Sequence, residues 1–394
     1  VTASARLHPS LGRPFLAKRA KGSRVWDVDG REFIDLNMSY GAALLGHGHP
    51  AVNAAVIRAT ELGIMCGYET EYQTRLAERL IDLIPSAELV RFAGSGTETT
   101  WHALRTARVA TGRAKVVKFE GHFHGYNDSL GFSFWPTIAA AGSADSPRPV
   151  PESAGTPESM TDLVIVLPWN DASALERVID RHGTEIAAVV MEPVNHDSGT
   201  IAPLPGYLEA VRKLTSQHGI LLIFDEILSG FRTGPGGAQQ MYGVTPDITT
   251  LGKALGGGSP LSAFVGSRET MSVVAPLGRA VHSGTYNAHL LPIMASIAFL
   301  EEVSSPTFYP RLRALQDFFY PELQQIFDRA GVKVRVQSMG ARFSLVFGLD
   351  YEARNYRDVL VHDEALANLF YAHAMDAGVY FHASWHHGFS AAHT

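Results

Sequence analysis

The sequence predicts an α/β fold built on a mainly parallel, buried sheet, with a smaller α+β region attached. Three observations carry that reading. Between about residues 70 and 265, seven short apolar runs are interleaved with helical stretches, the pattern of a sheet covered on both faces. Beyond about residue 290 the pattern shifts to long helices and two short strand-like runs. The chain has 394 residues, 46% apolar and 18% charged, enough for two domains or one large domain with appendages.

In order along the chain, residues 24–28 and 32–36 flank Asp29-Gly30, a hairpin signal between two half-apolar runs. Gly46-His47-Gly48-His49-Pro50 breaks the chain ahead of a helix over about 51–62. The strand-like runs are 89–92, 116–119, 163–167, 186–191, 220–224, 248–251 and 263–265, with helices over 98–110, 172–181 and 207–218. Residues from about 131 to 160 are rich in Gly, Ala, Ser and Pro and carry no period, which points to a lid or an interface arm. Helices are then expected over 292–303, 311–330 and 363–377, and strands over 333–337 and 343–347. These divide the chain into 1–45, 46–290 and 291–394, with the first and last segments forming one small domain around the large middle one.

A formal net charge of −6 and the lack of a long basic run argue against nucleic-acid binding. No apolar run reaches the length of a membrane span. A single cysteine, Cys66, rules out an internal disulfide framework. With no secretory leader at the start, the expected compartment is the cytoplasm.

Ligands of open α/β sheets gather at the carboxyl ends of strands. Glu192, Asp225 and Lys253 stand at three such ends. Lys253 lies in Thr249-Thr250-Leu251-Gly252-Lys253-Ala254-Leu255-Gly256-Gly257-Gly258, between a β-branched run and three glycines. Desolvation in such a turn lowers an amine's pKa and frees its lone pair for imine chemistry. The plainer alternative is a loop lysine reaching for water. An acid after so apolar a run as 219–224 needs a cationic partner, and a pyridinium nitrogen is one. Otherwise Asp225 and Glu226 simply cap a helix. Gly94-Ser95-Gly96-Thr97-Glu98 joins a strand to a helix start and aims backbone N–H groups at an anion, or serves as an ordinary N-cap. Gly121-His122-Phe123-His124-Gly125 offers Phe123 or His124 for stacking against a planar ring. With the cysteine remote and no paired acids spaced around His47, His49, His122 or His124, no metal is expected.

Taken together, these motifs resemble the class III aminotransferases, pyridoxal-phosphate enzymes of fold type I, in the branch that holds glutamate-1-semialdehyde aminomutases. The likeness runs through Asp27-Val28-Asp29-Gly30, Leu45–Pro50, Ser95–Glu98, Lys118–Gly125, Glu192-Pro193, Phe224-Asp225-Glu226 with Gly230-Phe231-Arg232, Leu251-Gly252-Lys253 and Ser283-Gly284-Thr285. It implies that Lys253 holds pyridoxal phosphate as a Schiff base and that Asp225 pairs with the pyridine nitrogen. Ser95, Gly96 and Thr97 would cradle the phosphate, with Thr285 supplied across a homodimer interface. Phe123 would cover the ring, with His124 beside it, and Glu192 would lie near the ring hydroxyl or the substrate mouth.

The same resemblance makes Arg6 the candidate for the substrate carboxylate, with Arg342 as a second. Aminomutases carry a glutamate in Ser-x-Phe-Glu-x-Gly-Phe near the C-terminus. Here Ser384-Trp385-His386-His387-Gly388-Phe389 is one residue shorter and places His386 or His387 there. The aminomutase Asn-Pro is also missing, since Asn287 precedes Ala288-His289. Ser283–Asn287 looks more like the branch acting on β-amino acids. The expected activity is therefore transfer of an amino group from a β-amino acid or related amine to a keto acid. An aminomutase or racemase on the same scaffold is the alternative.

Overall fold

A computed structural model of the chain describes residues 7–8 and 11–394. The seven apolar runs form one sheet, in the order Leu89–Ala93, Ser262–Gly266, Ile248–Leu251, Leu221–Glu226, Ile186–Met191, Lys115–Phe119, Val164–Leu167. Ser262–Gly266 is antiparallel to both neighbours, and the other pairings are parallel.

Period-two alternation sorts the side chains of this sheet between two covered faces. Val189, Met191, Leu222 and Phe224 pack with Leu175, Ile179, Leu208 and Val211 from helices Ala172–His182 and Tyr207–Gln217. Ala188, Val190 and Ile223 point the other way, onto Ala103, Leu104 and Ala107 of helix Gly96–Thr111. Burial on both sides is why these strands read as continuous apolar runs. Helix Gly96–Thr111 starts where the Ser95 side chain accepts from Glu98 N, and stops at Gly112 in the left-handed region (φ 68°).

One boundary differs from the sequence reading in a way that matters. The strand predicted over 220–224 continues to Glu226, because Asp225 and Glu226 stay in register with Thr250 and Leu251. Asp225 is thus a strand residue and does not begin a helix.

The N-terminal hairpin pairs Arg24–Asp27 with Glu32–Asp35. The Asp27 carboxylate closes its turn by accepting from Asp29 N (3.0 Å) and Arg31 N (2.8 Å). Strand Ala17–Lys21 flanks this pair on one side, and Val379–Tyr380, from far along the chain, runs parallel to Glu32–Asp35 on the other. A third sheet joins Val334–Met339, Arg342–Phe347 and His387–Gly388, and packs through Phe343 and Phe347 on Leu323 and Phe327 of helix Phe308–Ala330. The stretch read as patternless holds two short helices, Ile138–Ala141 and Glu158–Thr161. Arg357 anchors it, donating to Gly142 O (2.8 Å) and Ser143 O (3.0 Å) while bound to Glu120.

Candidate active site

Strands Ile186–Met191, Leu221–Glu226 and Ile248–Leu251 are adjacent and parallel, so their carboxyl ends open on one edge. That edge carries a cavity of about 200 Å³ lined by Gly96, Thr97, Phe123, His124, Glu192, Asp225 and Lys253, together with Asp197. Seven of the residues singled out in the sequence therefore meet in one place.

Asp225 is buried and held from three sides. His124 Nδ1 lies 2.7 Å from its Oδ2, while Thr250 Oγ1 (3.0 Å) and Ile227 N (3.2 Å) donate to its Oδ1. The Thr250 bond follows from register, because Thr250 is the parallel partner of Asp225. Burial lowers the His124 pKa although Asp225 opposes it. The imidazole is then neutral, Nδ1–H donates to Asp225, and Nε2 is left buried without a partner. Glu226, one residue on, has the other fate the sequence left open. It caps helix Gly237–Tyr242, accepting from Ala238 N (2.6 Å), Gln239 N (3.1 Å), Gln239 Nε2 (3.0 Å) and Ser229 Oγ (3.1 Å).

Lys253 opens a one-turn 3₁₀ segment after Gly252, with its own backbone in the left-handed region (φ 42°). Such a conformation costs a β-carbon residue roughly 1–3 kcal/mol. Burial pushes its amine down to about 8, helped by Arg232 and Arg342 and opposed by Asp197 and Glu192. Glu192 shows the reverse. Burial and the nearby Asp197 and Asp225 carboxylates hold its carboxyl well above the usual range. Its oxygens accept from Phe123 N (2.9 Å) and His196 N (3.2 Å), so Glu192 fixes the turn that presents the Phe123 ring.

The glycine-serine turn is packed tightly against its surroundings. A β-carbon on Gly96 would come within 2.7 Å of Ile227 Cδ1. One on Gly125 (φ 84°) would come within 2.4 Å of Thr97 Oγ1. Gly96 and Thr97 thus put the amino end of a 16-residue helix into the Lys253 cavity. Ser95 instead lines a second cavity of about 520 Å³, with Thr285, Cys66, Pro260, Tyr286 and Asn287. Within one chain, Thr285 is thus placed with Ser95 and not with Lys253.

Arg6 lies outside the described residues. Arg342 does not line the Lys253 cavity, but it is buried and its charge acts on Lys253. Its Nη1 donates to Asn37 O (3.1 Å), and its Nη2 is buried without a partner. Sequence reasoning gave no role to Arg232, whose guanidinium binds Leu228 O and, at 2.5 Å, Gly41 O. Gly41 ends a turn in which Met38, Ser39 and Tyr40 all have positive φ. Asp197 was also missed. The signal was the polar run Asn195-His196-Asp197, which follows a strand end after Glu192-Pro193-Val194, where a fully apolar strand gives way to groups that need partners.

Comparisons with known proteins agree with this geometry. Residues 8–386 match the family model "Aminotransferase class-III". A glutamate-1-semialdehyde 2,1-aminomutase 2 of Brevibacillus brevis is 38% identical over 385 residues, 97% of this chain and 88% of the relative. The crystal structure of an omega-transaminase from Sphaerobacter thermophilus superposes with a TM-score of 0.94 at 33% identity, covering 100% of this chain and 90% of the other. A β-phenylalanine aminotransferase from Variovorax paradoxus gives 0.87 at 31%, covering 100% and 86%. The donor set fits the cofactor of such enzymes: a braced acid, an anion-binding helix end, a flat ring and a depressed amine surround one cavity. The chain belongs to the class III aminotransferases, pyridoxal-phosphate-dependent transaminases of fold type I.

Proposed function

We propose that this chain is a two-substrate aminotransferase taking its amino group from a β-amino acid or a related carboxylate-bearing amine, and that it works as a homodimer. The observation that carries the reading is the meeting of Lys253, Asp225 and the Gly96-Thr97 helix end in one cavity. Pyridoxal phosphate, when bound, supplies the electron sink that makes the substrate Cα–H acidic. Asp225 holds a proton on the ring nitrogen, and His124 and Thr250 keep its carboxylate aimed. The Lys253 amine carries a proton to and from the substrate carbon, a task suited to a base whose pKa lies close to neutrality. The Gly96 and Thr97 end of the helix, with Ser95 beside it, receives the phosphate, joined by Thr285 of a second copy.

Two features support an amine bearing both an acid and an apolar group. Arg342, whose charge acts on Lys253, keeps an unpartnered buried Nη2, suited to a carboxylate; Arg6 remains the second candidate. Phe123, which lines the cavity, packs on Phe134 (4.7 Å between centroids) and Tyr126 (5.2 Å) and stacks toward Trp135 (6.2 Å). Tyr126 and Trp135 are exposed, giving an apolar rim for a side chain. The aminomutase reading keeps the support of the Brevibacillus relative, while a histidine, His386 or His387, near the place of the mutase glutamate weighs against it.

The test is turnover of a panel of β-amino acids and amines with and without 2-oxoglutarate or pyruvate. Strict dependence on the acceptor is expected; turnover of a single substrate without acceptor would replace the reading with an isomerase. Lys253→Ala should abolish turnover, and a variant with normal rates would remove the lysine from its role.

A further inference from the structure

Asp197 lines the Lys253 cavity, and His386 Nε2 stands 2.5 Å from its Oδ1. The two come from different parts of the fold. Asp197 follows strand Ile186–Met191 of the large sheet, and His386 directly precedes His387–Gly388 of the C-terminal one. Both are nearly closed off from solvent, with side chains 6% and 12% exposed. Asp197 Oδ2 and His386 Nδ1 are buried with no hydrogen-bond partner.

Burial lowers the His386 pKa although Asp197 raises it. Near neutral pH the imidazole is therefore uncharged and its Nε2–H donates to the charge-bearing oxygens of the carboxylate. From the large sheet and its loops, that charge faces Lys253, Lys118, His124, Glu192 and Tyr126. From the C-terminal sheet it faces Arg342. His386 in turn faces Lys253, Arg342, His196 and His387, with the rings of Tyr40 and His382 against its edge. Arg232 and Arg342 repel a proton on Lys253, and Asp197 is the acid in that cavity wall that attracts it most.

We propose that Asp197 is the counter-charge holding a proton on the Lys253 nitrogen, and that His386 is the positioning residue that keeps Asp197 turned toward it. The proposal rests on the reading of Lys253 as the cofactor-binding amine. It assigns a purpose to His386, one of the two histidines near the place of the aminomutase acid: a second carboxylate at His386 would repel Asp197, whereas a neutral imidazole donates to it.

The experiment is a pH titration of the holoenzyme's visible absorbance, which reports the proton on the lysine nitrogen. It is paired with the pH dependence of Lys253 labelling by an amine-directed reagent after the cofactor has been resolved. Asp197→Asn should move both midpoints down by about one pH unit, a tenfold loss of proton affinity. His386→Leu should move them the same way, and His386→Gln, which keeps an N–H donor, should restore them. Unchanged midpoints in a folded Asp197→Asn protein would overturn the proposal. If that variant does not fold, the histidine pair decides: separated midpoints support the proposal, and identical midpoints overturn it. Failure of the underlying reading looks different, because Lys253→Ala would then still develop the wild-type visible band with pyridoxal phosphate.

Discussion

At the scale of single residues, the site works by placing groups where water cannot level them. Lys253 should titrate near pH 8 in the cofactor-free protein, against an ordinary lysine value of 10.5. Labelling rate against pH, read by mass spectrometry, checks this; a midpoint near 10.5 would mean a solvated amine. The linkage has a definite sign. Because the folded-state value lies below the unfolded one, the unfolded chain binds more protons between them, and stability of the cofactor-free protein rises with pH through that window. Glu192 offers a second test. Both its oxygens accept backbone N–H groups, from Phe123 and His196, so the amide of Glu192→Gln must set an NH₂ against one of them. A loss of about 1–3 kcal/mol in urea unfolding is expected, with altered circular dichroism of the bound cofactor as the Phe123 turn shifts. The sequence disclosed Lys253, Asp225 and Glu192 because each follows or ends an apolar strand. It did not disclose the bond between Asp197 and His386, since a contact across two sheets leaves no trace in local spacing.

At the scale of elements, the strands of the large sheet were legible because burial on both faces demands unbroken apolar runs. The flanking strand Ala17–Lys21 was not: all five residues are exposed and three are basic, Lys18, Arg19 and Lys21. Charge on an edge strand blocks further pairing and erases the alternation that would reveal it. Val379–Tyr380 and His387–Gly388 are two residues each, too short to show any period. The end of Leu221–Glu226 was misplaced because pairing with Thr250 and Leu251 carries two acids along the strand. Packing between elements gives a further prediction. In Gly125→Ala, the methyl meets Thr97 in a left-handed backbone position, at a combined cost of roughly 2–4 kcal/mol. Weaker pyridoxal phosphate binding, at least tenfold by fluorescence titration, should accompany a lower thermal midpoint. Glu226→Ala strips the cap from helix Gly237–Tyr242 and leaves buried N–H groups unpaired, for a loss of about 2–4 kcal/mol in the same unfolding assay.

For the whole molecule, the surface near the Ser95–Thr285 cavity predicts self-association. Ile64 and Tyr286 line that cavity while 53% and 68% exposed. Apolar groups gathered in this way favour a partner over water. Sedimentation at twice the chain mass is the expected outcome, and Tyr286→Lys should shift the protein toward monomer and weaken cofactor retention. A fully active monomer would remove Thr285 from the phosphate site.

The parallel pairing of Val379–Tyr380 with Glu32–Asp35 bears on how the protein is made. A ribosome releases the hairpin before the large sheet, yet its neighbour on that side emerges only after that sheet is complete. Until then the edge of Glu32–Asp35 is unpaired and Phe33 lacks Met375, one of its burial partners. The large sheet between them can close beforehand, since all its strands lie from Leu89 to Gly266. The nascent chain therefore carries a sticky, half-built sheet while the whole large sheet is being made, and chaperone dependence should map to that hairpin. Pulse proteolysis of stalled chains ending before residue 376 should cut within residues 17–35 and spare 89–266.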